Sequence, residues 1–313
     1  MRQILAVAWI VFWIVLTPKN AHSVEMYKYK DENGHWAFSD KKPKNQKAES
    51  QRLLVTEAKE KAAVINQGTE ERPKLVALNP LGGPVQMWVD FKKTQNMRLT
   101  QDIPSPLIIP PQSEQFLSAL EKITIGKSWS YQWQVNIVLG KPVKRSQLNS
   151  SPLGLPFQGG PFIISQSFKG EASHNSGPQA FYSVDISMPK GTPIVAARKG
   201  VIMDIESDFS RSGWSAEYAD EANFVRLVHA DGSMTIYAHL DPDSISVSIG
   251  QKVRQGDLLG LSGTTGYSTG PHLHFSWQIN KGRALTSVPF EFEGSGKPVT
   301  GDVLLAPVNK DKQ

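Results

Sequence analysis

Ser262-Gly-Thr-Thr-Gly-Tyr-Ser-Thr-Gly-Pro-His-Leu-His-Phe275 is the stretch on which the reading of this chain turns. In an extended strand, side chains at i and i+2 share a face. His272 and His274 therefore point one way while Leu273 and Phe275 face a core. Two imidazoles on one face can divide the work, one binding a metal and the other handling protons. The Gly- and Thr-rich approach has the look of a phosphate loop. However, it leads into a strand, lacks Gly-Lys-Ser/Thr and offers no helix N-terminus, so that reading fails. A lone His-x-His also occurs on ordinary strands, and its neighbours must decide its meaning.

Five of the seven histidines fall in the last half of the chain, at positions 174, 229, 239, 272 and 274. Tyr182-Ser-Val-Asp-Ile-Ser-Met188 places Asp185 on the polar face of a strand whose other face is Tyr182, Val184, Ile186 and Met188. His174 lies upstream in a polar loop, and Tyr237-Ala-His-Leu240 puts His239 at the rim of another strand. Segments 162–168, 181–188, 200–205, 223–229, 234–239, 258–261 and 273–279 all read as short strands. Such spacing predicts antiparallel β structure from about Pro152 to Val299.

These blocks together resemble the LytM/lysostaphin-like zinc metallopeptidases, the Gly-Gly endopeptidase family. The resemblance covers roughly residues 153–295. Its motifs run in order: Ser173-His174, Val184 to Ala197, Gly200-Val-Ile202, Tyr237-Ala-His-Leu240, Ile249 to Asp257, and Gly263 to Phe275. It implies one zinc ion held by His174, Asp185 and His274, with His272 as general base or proton shuttle. His239 would orient water or steady the oxyanion. Three protein ligands leave the fourth position open, as catalytic zinc requires. One departure stands out: ten residues separate His174 from Asp185, where many members have three. A branch of the family with a longer loop carries a similar arrangement, and no other histidine lies between His35 and His229. His229 matches no family motif and reads as structural or exposed.

The rest of the chain sets the context. It has 313 residues, a formal charge of +5 and no cysteine. Thiol catalysis, disulfides and thiolate metal sites are thereby excluded. The charge is mild, and a dedicated nucleic-acid binder is not indicated. Residues 1–23 read as a signal peptide, with Arg2, an apolar run from Ile4 to Leu16 and an Ala21-His-Ser23 cleavage site. An uncleaved anchor is the alternative, although the run is shorter than the roughly 18–20 residues a span needs. Cleavage after Ser23 lowers the charge to +3, and the product is expected to be exported, to the periplasm or the cell surface. Residues 24–43 resemble a small hairpin module of exported bacterial proteins, with Asn33-Gly34 as the turn. Residues 44–75 read as a charged helix or linker, 76–150 as a small β-sandwich-like accessory domain, 151–299 as the metallopeptidase domain and 300–313 as a tail. The predicted fold class is mainly β.

The function expected from the resemblance is a zinc endopeptidase acting on peptide stems or cross-bridges of peptidoglycan. A second reading is a non-hydrolytic or latent wall-binding regulator, in which the N-terminal modules occlude the groove. Peripheral association with membrane or wall is compatible with both. A metal-storage protein built on His-x-His explains two histidines and leaves the other blocks unexplained. His-Glu-x-x-His is absent. The string Gly266-Tyr-Ser-Thr-Gly270 spells Gly-x-Ser-x-Gly but leads into a strand, without the strand–turn–helix of a nucleophile elbow, so serine hydrolase chemistry has no elbow to support it.

Overall fold

The computed structural model describes residues 22–30, 36–39, 49–55, 61–171 and 173–306, with the backbone alone for those before 61. The expected signal peptide lies almost wholly outside these residues, as do Asn33-Gly34 and the second half of the expected tail. The chain divides into two compact units, residues 1–60 and 61–313. In the first, β1 (His22–Lys30) pairs antiparallel with β2 (Trp36–Ser39) on one side and β3 (Glu49–Val55) on the other.

The second unit opens with seven strands: β4 (Ala63–Asn66), β5 (Lys74–Asn79), β6 (Val85–Gln95), β7 (Met97–Leu99), β8 (Leu107–Ile109), β9 (Ser113–Lys122) and β10 (Ser130–Leu139). They form two antiparallel sheets, β4-β5-β9-β7 and β10-β6-β8. Alternation supplies their shared core, in which Leu75 and Ala77 face Val85, Met87 and Ile109. Among the described residues of 44–75, expected as a charged helix or linker, there is no helix: β3, β4 and the start of β5 lie there. The physical reason is local. Val55, Val64 and Ile65 are β-branched and favour extended backbone, and Val64 gains burial only as part of a sheet. Solvent-side Lys and Glu hid this signal by suggesting a helical charge pattern.

The remaining strands are β11 (Gly159–Gln166), β12 (Ser183–Ser187), β13 (Pro193–Val195), β14 (Gly200–Glu206), β15 (Ser212–Gly213), β16 (Phe224–Val228), β17 (Met234–Ala238), β18 (Lys252–Val253), β19 (Leu258–Leu261), β20 (Gly266–Tyr267), β21 (His272–Asn280), β22 (Leu285–Ser287) and β23 (Val303–Ala306). A large antiparallel sheet takes the order β18-β14-β16-β17-β21-β12-β11-β23, with β22 added to β21. Its core contains Val184, Ile186, Tyr237, Leu273 and Phe275, all fully buried. Burying side chains of this size stabilises the fold by about 1.5–3 kcal/mol each, so the central strands are its most rigid part. The middle sheets are joined to this sheet directly. Gly82 N–H donates to the Met203 carbonyl at 2.8 Å, and Asn280 Nδ2 donates to Gln86 Oε1 at 2.8 Å.

His229 belongs to this scaffold. It is buried, with Nδ1 2.9 Å from the Lys199 carbonyl and Nε2 3.1 Å from Thr235 Oγ1, which in turn meets the Tyr237 hydroxyl. Burial pushes its pKa down to about 4, with Arg198 adding to the effect. A base whose pKa falls on folding contributes stability that is complete above the unfolded value near 6.5. That contribution is lost as pH drops toward and through the folded value. We expect the stability difference between pH 7 and pH 4 to shrink by about 3 kcal/mol in His229→Gln, as read from urea unfolding at the two pH values.

Candidate active site

The register of three adjacent strands builds the site. β21 is flanked by β12 and β17; Asp185 stands opposite His274 on one side and Ala238 opposite it on the other. The alternation that buries Leu273 and Phe275 turns His272 and His274 to the opposite face. His239 follows β17 directly, with a φ of 64°. Such left-handed backbone costs a non-glycine residue on the order of 1 kcal/mol, and here it swings the imidazole over the sheet face. The turn is held by Gly263 N–H donating to the His239 carbonyl at 2.9 Å.

His174, Asp185 and His274 converge. One ligand atom from each lies within 4.8 Å of the others. Asp185 Oδ1 is 2.8 Å from His274 Nδ1 and 3.1 Å from His174 Nε2. His174 is wholly buried, and its Nε2 has no hydrogen bond of acceptable geometry despite that proximity. A buried imidazole nitrogen aimed at a point shared with a carboxylate and a second imidazole is what a cation of two-nitrogen, one-oxygen preference requires. The residues fit a metal. Burial works to raise the Asp185 pKa, but the close approach of the His174 and His274 imidazoles to the carboxylate outweighs it. The carboxyl is held far below the usual carboxylate range, ionised and suited to a cation.

The other two histidines stand beside this group. His272 Nε2 is 3.9 Å from Asp185 Oδ1, and the His239 ring centroid is 4.5 Å from that of His272. Three carbonyls fix the tautomers. His174 Nδ1–H donates to Ser167 O at 2.8 Å, His239 Nδ1–H to Thr265 O at 2.6 Å and His272 Nδ1–H to Gly270 O at 2.8 Å. Each contact leaves Nε2 with its lone pair toward the site. Burial, followed by the charges of His272 and His274, pushes the His239 pKa down to about 3, and its imidazole is neutral at ordinary pH.

The stretch 262–271 thus has a physical task. Two of its carbonyls aim two of the histidines. Thr265 Oγ1 also donates to Leu240 O at 2.9 Å, and Ser268 Oγ donates to Gly270 O at 2.8 Å. Its glycines are required where the chain passes close to itself. A Cβ at Gly263 would stand 2.6 Å from the Asp241 nitrogen, and Gly266 has a φ of +80° against Ala222.

An open cleft of about 610 Å³ runs across this face. Asp185, His239, His272 and His274 line it, and Trp214 and Tyr267 stack at its edge with ring centroids 4.8 Å apart. The structure brings the five residues singled out in the sequence to one place, together with three that the sequence did not announce. Gln166 Nε2 donates to Asp185 Oδ2 at 3.3 Å and to Ser173 Oγ at 2.9 Å, which ties the long His174 loop to the carboxylate. Trp214 and Tyr267 come together through the short parallel pair of β15 and β20. No local pattern announces a contact across that many residues.

With this geometry in hand, similarity to known proteins is specific. Residues 179–286 match the sequence profile described as "Peptidase family M23". The chain carries a peptidase family M23 domain. A "DD-carboxypeptidase/endopeptidase Mpg" of Neisseria meningitidis is 40% identical over 97 residues, 31% of this chain and 20% of its own length. Lysostaphin of Staphylococcus staphylolyticus is 39% identical over 100 residues, 32% of this chain and 18% of its own. An "Uncharacterized metalloprotease" of Buchnera aphidicola is 40% identical over 99 residues, 31% of this chain and 23% of its own. The chain therefore spans less than a quarter of each of these relatives. The M23 match contains Asp185, His239, His272 and His274 but begins five residues after His174. That histidine's assignment rests on the convergence described above.

Proposed function

We propose that the chain is a zinc-dependent endopeptidase that hydrolyses peptide bonds in peptidoglycan stems or cross-bridges. The observation that carries this reading is the convergence of His174, Asp185 and His274 in an open cleft, with two further imidazoles at its wall. The M23 domain and the endopeptidase names of the relatives support it. His174 through Nε2, Asp185 through its carboxylate and His274 through Nδ1 would hold the zinc. Two imidazoles and one carboxylate suit that ion and leave it an open position. When bound, zinc supplies a water of lowered pKa, about 7, and a Lewis acid to polarise the scissile carbonyl.

The chain's own groups do the rest. His272 Nε2, unprotonated because Nδ1–H is tied to Gly270 O, accepts the proton of the attacking water and returns it to the leaving amine. His239 is neutral at working pH and held at the neighbouring wall. It orients the water by accepting an O–H at Nε2, without adding charge repulsion beside the metal. Trp214, 62% exposed, and Tyr267 provide an apolar edge along which a peptide stem can lie. Export through the N-terminal segment belongs to the same proposal, since the substrate is extracytoplasmic.

Retention of all five residues argues against a non-hydrolytic regulator. Among the described residues, every one lining the cleft falls within 165–274, which supports an open groove over a latent form. The test is digestion of purified cross-linked muropeptides by the zinc-loaded chain, with stem-to-stem D,D cross-links and glycine bridges in separate reactions. We expect mass spectrometry to show monomers released from one of the two. Protein with one equivalent of zinc that releases fragments from neither would overturn the reading.

A further inference from the structure

The far end of the middle sheets carries a second feature. β9 and β10 are joined by residues 123–129, Ile-Thr-Ile-Gly-Lys-Ser-Trp. Ile125 is 94% exposed and Ile123 63% exposed. A loop tip normally carries small or polar residues, because exposed branched aliphatics gain nothing from folding. This loop is also built. Asn96 Oδ1 accepts the Thr124 N–H at 2.8 Å, and Asn96 Nδ2 donates to the carbonyls of Thr124 at 3.0 Å and Ser128 at 3.2 Å. The Asn96 carbonyl accepts the Ile123 N–H at 3.2 Å. One side chain from another hairpin thus fixes the backbone that presents both isoleucines to solvent.

Behind the tip stands an aromatic row. Trp129 meets Tyr131 edge-on with centroids 5.2 Å apart, and Tyr131 stacks on Trp133 at 5.9 Å. Lys122 Nζ sits 5.5 Å above the Trp129 ring. The loop between β4 and β5, whose Pro73 carbonyl accepts the Leu120 N–H, brings Arg72, Glu70 and Glu71 to this end, while residues 91–98 and 121–133 bring Lys92, Lys93, Arg98, Lys122 and Lys127 against one acid, Glu121. That acid is paired with Arg98 at 2.9 Å, which leaves the lysines in excess. Glu70 acts on the Tyr131 phenol from the β4–β5 loop. Branched aliphatics at the tip, Trp and Tyr one layer back and lysines around them are the order in which a bilayer presents its acyl, interfacial and headgroup zones.

We propose that this end of the middle domain docks on an anionic lipid bilayer, with Ile123 and Ile125 entering the acyl boundary. Lys122 and Lys127 would meet lipid phosphates, and Trp129 would lie at headgroup level. The excess of lysines selects anionic lipid over a neutral apolar partner, because a neutral partner would leave those charges desolvated without compensation. The inference is independent of the reading of the cleft and survives its failure.

The test is co-sedimentation of the full chain with vesicles of phosphatidylethanolamine and phosphatidylglycerol, against phosphatidylcholine vesicles. We expect partitioning into the anionic vesicles, falling about tenfold or more in Ile123→Asp/Ile125→Asp and several-fold, roughly, in Lys122→Gln/Lys127→Gln. Raising salt from about 0.1 M to about 0.5 M should weaken the wild type and leave the lysine variant nearly unchanged. Both isoleucines are exposed, so neither substitution should shift the unfolding midpoint. Wild-type protein that ignores both vesicle types overturns the proposal, as does an aspartate variant that partitions like the wild type. Self-association that the aspartate pair abolishes, with no vesicle binding, would assign the tip to a second copy of the chain and overturn it equally.

Discussion

His174→Ala and Asp185→Ala should each leave the purified chain with less than about a tenth of an equivalent of metal and lower peptide hydrolysis by roughly three orders of magnitude or more. The physical reason lies in the ligand count. Two imidazoles and one carboxylate are the minimum that holds a divalent cation with an open position, and either change leaves two donors. Asp185 is the more severe case. Its carboxylate faces His174 Nε2 and His274 Nδ1 at once, and it supplies the only negative charge among the three groups. Without it, a cation would meet neutral ligands in a partly buried place. His174→Ala tests a separate point, since this residue lies outside the span that matches the M23 family. Metal analysis by mass spectrometry alongside turnover of a muropeptide reads both variants. An alanine variant at position 174 that keeps one equivalent of metal would show that the long loop contributes no ligand. The unfolding midpoint should rise with metal bound, by mass action, while the stripped wild type stays folded. β12 and β21 are held by their ladder and by Val184, Ile186, Leu273 and Phe275, and the metal is not needed to keep them paired.

His272→Ala should behave differently: metal content stays near one equivalent, and kcat falls about 10²–10⁴-fold with KM nearly unchanged. The imidazole approaches Asp185 Oδ1 only to 3.9 Å through Nε2, while its Nδ1–H is committed to the Gly270 carbonyl. It is placed to move a proton and not to bind the cation. A His272→Ala protein that loses metal in proportion to activity would move this residue into the ligand set. His239→Ala is the useful companion. Loss of a neutral imidazole that orients the water should lower kcat and leave the metal content near one equivalent.

Much of this was legible along the chain, and for identifiable reasons. The i, i+2 spacing of His272 and His274 carries its own geometry, because a strand can put those two side chains nowhere but on one face. The same logic placed Asp185 opposite the apolar Val184 and Ile186. His229 had no partner pattern and proved to be a buried scaffold histidine. The segment 44–75 went the other way. Its charged residues suggested a helix, while the few β-branched positions that decide the matter were outnumbered. Burial of Val64 against a sheet distant in sequence overrode local propensity.

The stretch from Ser262 to Phe275 by itself determined that two imidazoles share a face and that no phosphate loop precedes them; the other motifs and the lack of cysteine made a metal site without thiolates the chemistry to look for. Tertiary structure alone decided that β21 lies between β12 and β17. This order brings Asp185, His239 and the His174 loop to one point. It also decided that the carbonyls of Thr265, Gly270 and Ser167 select which nitrogen of each ring faces the cleft. The difference is one of range. Strand periodicity is encoded by neighbouring residues, whereas convergence depends on the order of strands in a sheet. That order is set by burial of a common core and is written in no single segment.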